Sequence, residues 1–114
     1  FIDIAEAFEP DIVAVSAGFD AHQYDLLLHL RLSTTAYYRV GALLRDRFSN
    51  VFATLEGGYS IELLPRCLEN FLAGINGENI PHEESATDSM IQTMDEAEAR
   101  MMVAENKLLE VWDI

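Results

Sequence analysis

Two short apolar runs constrain this chain more than any other feature. Residues 12–16 (Ile12-Val13-Ala14-Val15-Ser16) and residues 51–55 (Val51-Phe52-Ala53-Thr54-Leu55) are strand-length and apolar, the first rich in β-branched side chains. Continuous runs of this kind suit strands covered on both faces, as in a parallel sheet. Between them, Tyr37, Val40, Gly41, Leu44 and Phe48 fall on one face of a helix over 33–48, with Ser33 or Thr34 placed to cap it. The order strand, helix, strand predicts parallel strands joined by a right-handed crossover. In such sheets ligands bind outside the carboxyl ends of the strands. At that edge the chain places two unusual loops, Ala17-Gly18-Phe19-Asp20 and Glu56-Gly57-Gly58-Tyr59.

The remaining segments are read around this frame. Residues 1–8 form the end of an amphipathic helix, with Phe1, Ile4, Ala5 and Phe8 on one face, and Glu9-Pro10-Asp11 stops it. Residues 21–32 show no clean period and read as a loop, in which Leu26-Leu27-Leu28 can form one turn of helix. A third helix starts at Ser60 or Leu64 and runs to Leu72, with Pro65 in its first turn and Gly74 and Gly77 closing it. Residues 78–86 read as a linker that exposes His82. A last amphipathic helix occupies 87–114, capped by Ser85 or Thr87. Its apolar positions Met90, Met94, Ala97, Met101, Ala104, Leu108 and Val111 are spaced as a heptad seam, and Trp112 offers an aromatic anchor. Methionine and alanine are adaptable fillers, so packing on a surface is favoured over a strong zipper. Two parallel strands alone leave open edges, so further strands are expected from N-terminal sequence or from another copy of the chain.

Composition narrows the function classes. A chain of 114 residues has room for one small core, and half of its residues are hydrophobic, too many for a disordered segment. No apolar run reaches the roughly 18 residues of a membrane span. The first residue is Phe1, and no charged region precedes an apolar stretch, so no signal peptide is read and the chain is expected to be a piece of something longer. The single cysteine, Cys67, lies on an apolar helix face and reads as a buried thiol in a reducing, cytoplasmic setting. A net charge of −13 repels phosphate backbones and argues against nucleic acid as a partner. The charge is uneven: residues 1–77 hold ten acidic and five basic residues, residues 78–114 ten acidic and two basic. The tail therefore reads as a solvated acidic face.

The chemistry-bearing candidates sit in the two loops. From its position, Asp20 can bind a metal, act as a base or cap the local backbone. His22 follows at a spacing that resembles a ligand pair, but alternate residues at a strand end point to opposite faces, so His22 is not taken as a ligand. Gly57 and Gly58 allow close backbone approach or positive φ. Tyr59 behind them can donate a hydrogen bond to an oxyanion, or simply pack on the turn. A phosphate cradle at the following helix is weakened by the absence of nearby lysine or arginine and by Glu56.

Taken together, residues 10–22 (Pro10-Asp11-Ile12-Val13-Ala14-Val15-Ser16-Ala17-Gly18-Phe19-Asp20-Ala21-His22) and 55–59 (Leu55-Glu56-Gly57-Gly58-Tyr59) resemble, in order and separation, two motifs of the zinc-dependent deacetylases: histone deacetylases, acetoin-utilisation proteins and acetylpolyamine amidohydrolases. The resemblance covers residues 1–77 and implies the C-terminal portion of an arginase/deacetylase-like α/β fold, a mostly parallel sheet with flanking helices. It further implies that Asp20 is a zinc ligand, that Tyr59 polarises the substrate carbonyl, and that Gly57 and Gly58 line the substrate channel. The implied reaction is hydrolysis of an acetyl amide, on acetyl-lysine, acetylpolyamine or a related small acyl substrate, by a metal-activated water. The sequence departs from the family in two ways. Asp25 is followed by Leu26-Leu27-Leu28 where the family carries an Asp-Pro-Leu-Gly-like turn. The paired histidines and Asp-x-His ligands, which lie upstream in the family, are absent, so the isolated chain is expected to be inactive. The competing reading is a non-catalytic module that homo-oligomerises through its strand edges or its 90–111 helix.

Overall fold

A computed structural model describes residues 2–27 and 29–112 of the chain. Phe1 of the first helix face, Leu28 of the leucine triplet, and Asp113 and Ile114 of the last segment lie outside the described residues. Six elements follow in the order α1 (Ile2–Ala7), β1 (Val13–Ala17), α2 (Thr34–Arg47), β2 (Val51–Leu55), α3 (Leu64–Asn76) and α4 (Ile91–Leu109). They divide between two units, one of Asp11–Thr87 and one of Phe1–Pro10 with Asp88–Ile114.

In the first unit β1 and β2 pair in parallel, in register from Val13↔Val51 to Ala17↔Leu55. The pairing continues past both strands, with Val13 N donating to Asn50 O and Glu56 N to Ala17 O. The expectation of strands buried on both faces is corrected. β1 alternates between half-covered and exposed positions up to the buried Ala17, and four of the five residues of β2 are exposed, among them Phe52 and Leu55. The reason is that α2 and α3 pack chiefly on each other, leaving the apolar faces of a two-stranded sheet largely open.

The core lies beyond the strand end, at the helix pair. Phe19 is 2% exposed and sits with its ring centroid 5.1 Å from Tyr37 and 5.9 Å from Phe71. Buried Tyr37 donates its hydroxyl to the Phe19 carbonyl at 3.1 Å, which satisfies a polar group that burial would otherwise penalise. Cys67 is fully buried beside this cluster, and desolvation, aided by the charges of Glu84 and Asp25, pushes its thiol up to about 12. Val40, expected inward, is exposed, while Tyr37, Gly41 and Leu44 are buried. Gly74 does not close α3 but lies inside it, where a Cβ would fall on the Tyr38 carbonyl oxygen of α2. The helix ends instead at Gly77, in the left-handed conformation at φ 72°.

Neither Ser33 nor Thr34 caps α2 with its side chain. The acceptor comes from far along the chain, where Glu84 Oε2 takes the Thr34 N–H at 2.7 Å. Residues 78–87 carry no helix or strand, yet they are fastened throughout. Tyr38 donates to the Glu78 carbonyl, Asn70 exchanges two bonds with the His82 backbone, Thr35 exchanges two with the Glu84 backbone, and Thr87 donates to the Arg31 carbonyl. His82, expected exposed, is half-buried and lies 2.6 Å from Glu69.

In the second unit α1 is a single short turn-and-a-half, followed by Glu9 at φ 52°. Phe8 meets Trp112 edge-on at 6.5 Å between centroids. α4 starts at Ile91 behind Met90, without a side-chain cap from Ser85 or Thr87. None of its residues is buried, and of the heptad positions only Leu108 is half-covered.

Candidate active site at the sheet edge

Because β1 and β2 run parallel and end in register, their two loops leave the sheet side by side. Phe19 N donates to the Gly57 carbonyl at 2.9 Å, so the first loop continues to pair with the second beyond the strands. That bond brings the half-buried Asp20 carboxylate directly against Gly57. A Cβ on Gly57 would lie 2.8 Å from Asp20 Cγ, inside any tolerable contact. Gly57 is therefore required for close approach, and Gly58 for its backbone, at φ 128°. The two glycine reasons offered by the sequence both apply, one at each position.

Tyr59 is held by its backbone. Asp25 Oδ2 accepts from Tyr59 N at 2.8 Å and from Ser60 N at 3.1 Å, while Oδ1 accepts from Leu27 N at 3.2 Å. Desolvation raises the Asp25 pKa, but the hydrogen bonds from Tyr59, Leu27, Ser60 and Leu26 outweigh it and hold the carboxyl below its ordinary value. The Tyr59 and Ser60 N–H groups ahead of α3 are thus already taken by a carboxylate of this chain. The Tyr59 side chain is 52% exposed.

His22 is turned away from ligand duty. It is 1% exposed, accepts the Tyr24 N–H at Nδ1 and meets Glu84 Oε2 at 2.9 Å through Nε2. Glu84 also accepts from Gln23 Nε2 at 2.7 Å. Desolvation opposes ionisation of Glu84, but the bonds from Thr34, His22 and Gln23 prevail and lower its pKa. His29 is exposed in the loop.

Sequence reasoning passed over Asp25 and Glu84. The local bond from Asp25 to Leu27 N is an Asx-type turn and was legible in principle. The bonds that matter span 34 and 62 residues and leave no periodic trace.

The arrangement suits one oxygen donor to a metal. No hydrogen bond to the Asp20 carboxylate is found among the described residues, and the carboxylate lies against the backbone of Gly57. A carboxylate oxygen is an ordinary zinc donor. Among the described residues no three histidine, cysteine, aspartate or glutamate side chains come together to hold an ion, so Asp20 fits as a single member of a ligand set.

The family profile described as the histone deacetylase domain matches residues 1–75. Over 83 residues the chain is 36% identical to a protein of Methanothermobacter thermautotrophicus named as a probable deacetylase, an alignment that takes in 73% of this chain and 25% of that one. It is 34% identical to the chloroplastic histone deacetylase 14 of Arabidopsis thaliana, covering 68% of this chain and 20% of that protein. The solved structure of the histone deacetylase Clr3 superposes with a TM-score of 0.69 at 28% identity, over 82% of this chain and 16% of that one. The chain thus spans about a quarter or less of the length of these relatives. The mixed architecture and parallel sheet are those of the arginase/deacetylase fold.

Proposed function

This chain belongs to the histone deacetylase family, and we propose that it forms the C-terminal portion of the catalytic domain of a zinc-dependent deacetylase acting on an acetyl amide. The observation that carries the reading is the meeting of the two loops. One brings a carboxylate with no hydrogen bond among the described residues, the other a phenol, and backbone bonds hold both to one edge of the sheet. Asp20 is the metal donor of this stretch, and the remaining donors come from elsewhere in the parent protein. The chemistry zinc supplies when bound is polarisation of a carbonyl and a water acidified toward pKa ~7.

The rest of the mechanism belongs to the chain's own groups. The Tyr59 hydroxyl donates to the carbonyl oxygen and strengthens that bond as negative charge develops there, which lowers the barrier. Asp25 sets where the phenol stands by fixing the backbone that carries it. Gly57 and Gly58 keep the channel wall free of side chains. Acetyl-lysine, an acetylpolyamine or a related small acyl group is the substrate class. The buried thiol of Cys67 accords with a reducing, cytoplasmic setting. With one donor of the set, the isolated chain is inactive.

The test uses the full-length protein that contains this stretch. Tyr59→Phe is expected to lower turnover by ~10²–10³-fold with zinc retained, the scale of losing one oxyanion donor. Asp20→Ala is expected to lose the metal. Unchanged turnover in the first variant, or full zinc retention in the second, refutes the assignment. A second reading, self-association through the strand edges or α4, rests on the exposure of Phe52, Leu55, Met94 and Met101. Light scattering on the purified chain decides it, since a monomer at all concentrations excludes it.

A further inference from the structure

Glu84 lies beyond the stretch that matches the family profile, in a segment without helix or strand, yet its carboxylate accepts three hydrogen bonds. It takes the Nε2 side of buried His22 at 2.9 Å, the Gln23 amide at 2.7 Å and the Thr34 N–H at 2.7 Å. With Nδ1 of His22 accepting from Tyr24 N, the ring's proton stands on Nε2 and points at Glu84. His22 and Gln23 are the second and third residues after Asp20. The same turn is pinned on its other side by Leu32, whose N–H donates to the Ala21 carbonyl and whose carbonyl accepts from Gln23 N. The backbone of Glu84 is itself anchored by its two bonds with Thr35 of α2.

The geometry points to Glu84 as a positioning residue that fixes the aim of the Asp20 carboxylate through His22 and Gln23. The inference rests on the reading of Asp20 as a zinc donor. Its physical content is that a side chain following α3 straps the metal-binding loop onto the start of α2. Groups that orient a metal-binding carboxylate without touching the ion commonly change metal affinity when removed.

Zinc affinity, measured by chelator competition on folded full-length protein, tests it. Glu84→Ala is expected to weaken zinc binding by ~10-fold or more, the lower end of the range for such partners. Glu84→Gln is expected to stay within about twofold of the natural protein, because a flipped Gln23 amide restores every bond without the charge. A role confined to fold stability predicts a lowered melting temperature in Glu84→Ala with zinc affinity unchanged, and that result overturns the proposal. Should Glu84→Ala not fold, Gln23→Ala removes one bond of the same network, and unaltered zinc affinity there overturns it equally. Asp20→Ala is measured in parallel. If that variant keeps zinc, the assignment of Asp20 fails; if it loses zinc while the Glu84 and Gln23 variants hold it normally, only the strap fails.

Discussion

The sheet-edge loops and the helix α4 both carry clear sequence patterns, and the structure treats them oppositely. At the loops, a motif without periodicity becomes a tightly determined geometry. Asp20 abuts Gly57, Asp25 holds Tyr59, and Glu84 holds His22. In α4, a regular heptad seam buries nothing, and Met94 and Met101 remain 58% and 70% exposed. Periodicity states which residues can share a face. It does not supply the surface against which that face is buried. Conversely, hydrogen bonds between distant loops leave no period, but each removes conformational freedom once the strands bring the loops together.

The contrast can be broken by mutation. Phe71→Ala, at the buried end of the Phe19–Tyr37–Phe71 cluster, is expected to cost ~3–5 kcal/mol in denaturant unfolding, as for truncating a buried aromatic. A loss below ~1 kcal/mol would show that the helix pair is not the core of this unit. Gly57→Ala drives a methyl group into the Asp20 carboxylate. Overpacking of this kind costs ~1–3 kcal/mol, and the full-length variant is expected to bind zinc more weakly. Normal stability with normal zinc content would mean that the two loops are not in contact.

Acid sharpens the comparison further. Glu84 has its pKa lowered in the folded chain from an ordinary 4.5, so the unfolded state takes up the proton more readily. Its contribution is fully present above that ordinary value and is lost as the pH falls through the lower, folded one. Denaturant unfolding between pH 7 and pH 3 should therefore show stability falling in the acid range. Glu84→Gln should flatten part of that slope, and an identical slope in the variant would rule out the attribution. The smallest expected effect is in α4, where Met101→Ala should change stability by no more than ~0.5 kcal/mol, as at other exposed positions. A larger loss would reveal burial that the exposed seam does not display.

Much of the frame was legible. The run Val51–Leu55 forms a strand over those residues, an apolar stretch with Val51, Phe52 and Thr54 that is bounded by Ser49-Asn50 and Glu56-Gly57. The run at 12–16 shifts by one residue to Val13–Ala17. The Gly57-Gly58 pair announced both close approach and positive φ, and the structure divides the two between them. Gly74 misled, because a helix-ending residue by local rules became a contact point by packing, where only a hydrogen fits between α2 and α3. Ser33 misled in the same way. It offered a cap, and a glutamate 50 residues past the helix start supplied the acceptor.

The amino-acid sequence by itself determined the local conformations and the sheet edge at which Asp20 and Tyr59 emerge. Strand propensity, helical period and the φ freedom of glycine are properties of neighbouring residues. Only the tertiary structure decided which carboxylates hold that edge together, which glycines admit a neighbouring backbone or side chain, and which apolar faces stay open. Those outcomes depend on contacts between segments far apart in the chain, whose geometry exists only after the strands have paired and α2 has packed on α3.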